Sequence, residues 1–130
     1  MAISVLLDTH ALLWALVEPE KLSWAARAII EDPQNVVVVS AVSAWEITIK
    51  YDLGRLPEAR TVIDGFQHHV QVLRAVELAI SSTHAITAGS LKSPHRDPFD
   101  RMLVAQSLVE GLSLVSKDPE LKQFEVPLIW

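Results

Sequence analysis

Apolar residues along the chain fall into short blocks, each closed by a polar residue, a proline or a glycine. ISVLLD (3–8) is a β-rich run ending in aspartate, and HALLWALVEP (10–19) has helical length and stops at proline. SWAARAIIED (23–32) predicts a second helix, with Ser23 as its cap and Pro33 beyond its end. VVVV (36–39) is apolar at every position, as suits a strand buried on both faces of a parallel sheet. SAVSAWEITIKYDLG (40–54) follows as a helix stopped at Gly54.

The second half continues the alternation. The pattern predicts a helix around 58–69, a weak strand over VQVLR (70–74) and a helix over ELAISSTHAITAGSL (77–91). PFDRMLVAQSLVEG (98–111) is a stronger helix, LSLVS (112–116) a strand, PELKQF (119–124) a turn of helix and VPLIW (126–130) a last short strand. Strand and helix in turn favour an α/β fold with a parallel sheet and helices on both faces. No repeat, low-complexity segment or linker interrupts it, so residues 1–130 are expected to form one domain.

Composition narrows the chemistry. There is no cysteine, which removes disulfides, thiolate metal ligands and cysteine nucleophiles together. MAISVLLDTH lacks a basic leader, so no signal peptide is expected, and no apolar run approaches the roughly 20 residues that span a bilayer. A cytoplasmic protein is the expectation. The formal net charge is −5, whereas nucleic-acid binders usually carry positive charge. Any contact with nucleic acid must therefore be local, or the acidic excess must serve another purpose.

Four acids stand out: Asp8, Glu46, Asp100 and Asp118. Taken singly, each has a structural explanation. Asp8 or Thr9 can cap the helix that follows, and Ser43 with Glu46 matches the S-x-x-E capping box. Asp118-Pro119 has the form of a cap with proline at the first helical position. Asp100 falls in a first turn, where the helix dipole favours negative charge by about 0.3–1 kcal/mol. Two observations strain this account. Asp97-Pro98 already suits the start of helix 98–111, leaving Asp100 surplus, and if Ser40 caps the preceding helix then Glu46 caps nothing.

Topology gathers these acids. In a parallel α/β sheet, strand-to-helix turns share the carboxyl edge, where ligands bind. Crowded carboxylates must protonate or take a cation, and an all-oxygen donor set suits Mg²⁺ or Mn²⁺ rather than zinc. Such an ion activates water and offsets charge on a phosphodiester under attack.

LLDTHALLWAL, SAVSAWEITIK, HRDPFDRMLVAQ and LVSKD, in that order and spacing, resemble the PIN domain, and more narrowly the VapC-type toxins of bacterial type II toxin–antitoxin pairs. The resemblance implies a three-layer fold with a central parallel sheet flanked by helices. It implies a Mg²⁺-dependent endoribonuclease, with Mn²⁺ as an alternative ion, leaving a 5′-phosphate and a 3′-hydroxyl. By motif match the family's acids fall on Asp8, Glu46, Asp100 and Asp118; we expect Asp8 and Asp100 as direct ligands, with Glu46 and Asp118 acting partly through water. Thr9 matches a hydroxyl residue found beside the first acid, and Ser116 stands where the family often has threonine. Asp97 belongs to the subgroup's RDPFDR pattern and is expected to cap. The implied partners are RNA, a cognate antitoxin whose C-terminal segment crosses the active site, and a second copy of the chain in a homodimer, with no membrane.

Among basic residues near the acids, Lys50, Arg55, Lys92, Arg96, Arg101 and Lys117, solvated surface or local ion pairing is expected for any one alone, and Arg96 and Lys117 are the best candidates to contact substrate. His10 and His95 flank the acidic motifs; second-shell or surface roles are expected, and the five histidines lack zinc-motif spacing. The four tryptophans could stack bases, though core packing is expected for them. A dehalogenase-like phosphatase needs a second aspartate where His10 stands, a phospho-receiver needs an acidic pair near its first strand, and a nucleotide-binding fold needs clustered glycines; none is present. The remaining rival is a non-catalytic PIN-like module that binds RNA or protein.

Overall fold

The computed structural model describes residues 2–130. Five parallel strands form one sheet in the order β3-β2-β1-β4-β5. They are β1 (Ser4–Leu7), β2 (Val36–Ser40), β3 (Val76–Leu78), β4 (Ser113–Val115) and β5 (Leu128–Ile129). The helices are α1 (Thr9–Val17), α2 (Trp24–Glu31), α3 (Ala41–Asp52), α4 (Arg60–Ile63), α5 (Phe66–Val72), α6 (Ser82–Ser90) and α7 (Pro98–Glu110), with short 3₁₀ turns at Pro19–Lys21, Pro57–Ala59 and Pro119–Gln123.

The unbroken valines of β2 are explained by two cores, one on each face of the sheet. Val5, Leu7, Val37 and Val39 pack with Leu12, Ala26 and Ile47 on one side. Leu6, Val38 and Leu114 pack with Val42, Leu103, Val104 and Leu121 on the other. Each such side chain contributes about 1.5–3 kcal/mol of transfer free energy, so β1 and β2 have no polar face to spare. Their pairing, with Leu7 opposite Val39 in one direction and Val115 in the other, brings three strand ends to a common edge.

The middle of the chain differs from the sequence expectation. The helix expected over 58–69 is broken at Asp64–Gly65, where Gly65 takes φ +72°, a left-handed conformation that costs glycine little. The strand expected over 70–74 is instead the end of α5, closed by Arg74 at φ +55°, with Ala75 N–H donating back to the Val70 carbonyl. Strand β3 lies a few residues later, so the helix expected to begin at 77 begins at 82. The reason is Ser81: its hydroxyl accepts the His84 N–H while the His84 ring accepts the Ser81 N–H, a reciprocal cap that starts α6 there.

Two of the four tryptophans depart from core packing, while Trp14 and Trp130 pack against the core as expected. Trp24 is 92% exposed and Trp45 55% exposed. In α2 the buried positions are Ala26 and Ile30, one turn apart, and Trp24 opens the helix on the other side. Trp14 and Trp130 pack on each other, with ring centroids 5.7 Å apart. Among the described residues no helix is long and apolar enough to cross a membrane.

Candidate functional site

Asp8 stands directly after β1 and is only 8% exposed. It does cap α1, its Oδ1 accepting the Ala11 N–H at 2.8 Å. The Ser116 hydroxyl also donates to its carboxylate, and burial nonetheless pushes its pKa up, with the charge of Glu46 adding to the rise and that of His10 opposing it. Capping is thus real but incomplete as an explanation, since a solvated cap would do the same work without a desolvated charge.

Glu46 has no capping role. The Ser40 hydroxyl accepts the Val42 N–H and starts α3, which places Ser43 and Glu46 inside the helix. Glu46 is 4% exposed. Its Oε1 accepts the Thr9 hydroxyl at 2.6 Å, and Thr9 in turn lies 3.1 Å from the Ser43 hydroxyl. Its Oε2 is paired with Lys50, one helical turn on. A buried carboxylate needs such partners on both oxygens.

Asp97 and Asp100 divide as their spacing predicts. Asp97 Oδ1 accepts from the Phe99 and Asp100 amides, at 2.9 and 3.3 Å, and so caps α7. Asp100 is left free of the backbone, and its Oδ2 accepts from His95 Nε2 at 2.9 Å. Burial raises the Asp100 pKa to about 6; the charges of Asp97 and Glu46 push the same way, and His95 opposes them. Asp118 caps the 3₁₀ turn that follows it, Oδ1 accepting the Glu120 N–H at 2.9 Å. The Ser116 hydroxyl accepts the Asp118 N–H at 3.1 Å while donating to Asp8, so one serine ties the two acids together.

Glu46 is within electrostatic reach of both Asp8 and Asp100, while Asp118 shares a cleft of about 390 Å³ with Asp8. The cleft is completed by His10, Trp14, Lys117 and Pro119. Of the two basic residues singled out, Lys117 therefore lies beside the acids. Arg96 is exposed and lines a different hollow, with Trp45, Ala88 and Pro98. Thr9 and Ser116 are both buried in the site's hydrogen-bond network. Among the described residues no three His, Asp or Glu side chains are arranged to hold an ion unaided.

Three side chains already noted near the acidic motifs take definite supporting roles. Lys50 neutralises Glu46, and its i,i+4 spacing was a usable signal. His95 holds Asp100, from a loop whose path the sequence does not specify. Arg101 is no phosphate contact: it donates to the carbonyls of Leu91 (2.8 Å), His95 (2.9 Å), Ala88 (3.1 Å) and Ser93 (3.3 Å), clamping the loop that carries His95.

A family model of the PIN domain matches residues 5–127. Over 125 residues the chain is 34% identical to Ribonuclease VapC22 of Mycobacterium tuberculosis, an alignment covering 95% of this chain and 94% of that relative. A 31-residue stretch, 24% of this chain and 22% of the relative, is 58% identical to Ribonuclease VapC16 of the same organism. A chain in the crystal structure of VapBC2 from Rickettsia felis bound to a DNA fragment from their promoter matches the fold with a TM-score of 0.68, over 98% of both chains at 14% identity. A chain of a toxin-antitoxin complex from Klebsiella pneumoniae matches with 0.57, over 97% of this chain and 96% of that one at 17% identity. With strands, acids and a near full-length family match in agreement, the chain belongs to the PIN domain family.

Proposed function

We propose that this protein is a Mg²⁺-dependent endoribonuclease, the toxin of a type II toxin–antitoxin pair, with Mn²⁺ able to replace Mg²⁺. The observation that carries the reading is the burial of Asp8 and Glu46 and part-burial of Asp100, with the charge of Glu46 acting on both aspartates, in a chain 34% identical to a named ribonuclease.

The donor set fits a divalent ion. Lys50 is committed to Glu46, while burial, with the charge of Glu46 adding to it, raises the pKa values of Asp8 and Asp100, and a cation beside them would oppose that rise. Asp8 and Asp100 would hold the ion directly, with Glu46 and Asp118 reaching it through water; Mg²⁺ keeps several waters and takes one or two carboxylates. When bound, the ion supplies Lewis acidity, lowering the pKa of water and offsetting charge on the phosphate. The chain's own part is to hold these oxygens still. Thr9 and Lys50 fix Glu46, Ser116 and the Ala11 amide fix Asp8, and His95 fixes one oxygen of Asp100.

The solved relatives are described as toxin–antitoxin complexes, which supports a cognate antitoxin as partner. Exposed apolar side chains, including Val17, Trp24, Trp45 and Leu53, offer surface for that partner and for a homodimer. A cytoplasmic location is part of the same reading.

The test is cleavage of a panel of structured RNAs with Mg²⁺ or Mn²⁺, with and without chelator, beside Asp100→Asn. Metal-dependent cutting lost in the variant is expected. Intact RNA across the panel, or undiminished cutting by Asp100→Asn, would sink the proposal and leave a binding module.

A further inference from the structure

The cleft beside Asp8 is lined by two chemically different sets of side chains. The Asp8 and Asp118 carboxylates are one, and His10, Trp14 and Lys117 are the other. His10 and Trp14 lie one helical turn apart on α1, with ring centroids 5.6 Å apart. The Lys117 ammonium lies over the Trp14 ring, 5.8 Å from its centroid, in the range of a cation–π contact. Its volume of about 390 Å³ falls at the lower end of the roughly 300–1,000 Å³ of small-ligand clefts.

The geometry points to a subsite for one unpaired nucleobase next to the scissile phosphate, an inference that rests on the nuclease reading above. The His10 and Trp14 rings, tilted 42° to each other, give this side of the cleft aromatic surface that suits a flat base better than a phosphate. A base can lie against the exposed His10 ring beside Trp14, and an amino group on its edge can donate to Asp118, leaving Asp8 to the ion. Asp118 has one oxygen committed to Glu120 N–H, and its Oδ2 has no protein partner among the described residues. Lys117 is exposed and long enough to leave the Trp14 face for the adjoining phosphate, which reconciles nucleic-acid contact with a net charge of −5. The base must be splayed out, since a paired base in an A-form helix offers no free face. This cleft would thereby choose the nucleotide beside the cut.

The four nucleoside 5′-monophosphates and ribose 5-phosphate, titrated in chelator and followed by tryptophan fluorescence and NMR shifts, test this. At least one monophosphate is expected to bind about tenfold or more tightly than ribose 5-phosphate, as base stacking on aromatics implies. That advantage should vanish in His10→Ala, whose side chain is exposed and outside the core, and in Trp14→Leu, and persist in Lys122→Ala. Equal binding with and without a base, or an advantage undiminished in His10→Ala, overturns the inference. So does a His10→Ala variant that loses antitoxin affinity while nucleotide binding is unchanged, which would assign the cleft to protein. No RNA is cut in this titration. Base-dependent binding in a protein that cleaves no RNA defeats the nuclease reading alone, and cleavage without base-dependent binding defeats this inference alone.

Discussion

His95 Nε2 lies 2.9 Å from Asp100 Oδ2, and its Nδ1 lies 3.4 Å from Glu120 Oε2. The ring also meets Phe124 edge-on, with centroids 5.8 Å apart. Because an ionised carboxylate only accepts, the imidazole presents its proton to Asp100 and holds one oxygen in place. His95→Ala is expected to weaken Mn²⁺ binding about 10- to 100-fold, the usual scale for loss of a partner behind a ligand. Calorimetric titration with Mn²⁺ measures this without any RNA present.

The paired aspartates of RDPFD should separate by readout. Asp97→Ala removes a cap that serves two amides and is expected to cost about 1 kcal/mol of stability while cleavage is largely retained. Asp100→Asn should abolish cleavage and leave the metal-free protein as stable or more so, because a desolvated charge is removed. Urea unfolding beside an RNA cleavage assay distinguishes them. An Asp97→Ala protein that is stable but inactive would reverse the assignment.

Glu46 and Lys50 form a pair that is buried on the acid's side and part-exposed on the lysine's. Lys50→Met strands a buried carboxylate and is expected to cost about 1.5–3 kcal/mol. Glu46→Gln in the same chain should restore most of that loss. Denaturant midpoints for the two single variants and the double variant give the coupling directly.

Asp100 has a folded pKa of about 6 against an unfolded value of about 3.9. Between those values the folded state binds more protons than the unfolded one, so stability falls as pH rises through that window and the penalty persists above it. Asp8 is shifted in the same direction. The thermal midpoint of the metal-free protein should therefore decline from pH 4 to 6, and less steeply in Asp100→Asn. Saturating Mn²⁺ should raise the midpoint at pH 7.5 far more than at pH 5, where protons compete for the same oxygens.

Arg101→Lys keeps the charge and loses the fork. A guanidinium reaches several carbonyls at fixed angles, and an ammonium does not. The expected loss is about 2–3 kcal/mol, with faster amide exchange confined to residues 91–97. Hydrogen-exchange mass spectrometry reads that segment.

Most of the strand and helix order was legible because each face of β1 and β2 is buried, which forces an unmistakable apolar run. The stretch from 58 to 91 was not, because its cues are single residues: Gly65 breaks a helix, Arg74 closes one without glycine, and Ser81 with His84 caps the next. Asp8, Glu46 and Asp118 could be placed at one edge from topology, whereas Asp100, on a helix that follows a loop, could not. What surrounds them could not. Lys50 was within reach of spacing rules, whereas the clamp of Arg101 on four carbonyls depends on a loop path that no periodicity encodes. The cleft of His10, Trp14 and Lys117 joins α1 to a turn more than a hundred positions later.

The serine that ties Asp8 to Asp118 follows β4, and Asp8 itself donates its N–H to the Val115 carbonyl of that strand at 3.0 Å. The first acid is therefore finished by residues more than a hundred positions later in the chain. No early fragment of the protein, however well its helices form, can carry the complete carboxylate edge. During synthesis Asp8 emerges well before β4, and its carboxylate gains the Ser116 partner only once that strand has joined the sheet.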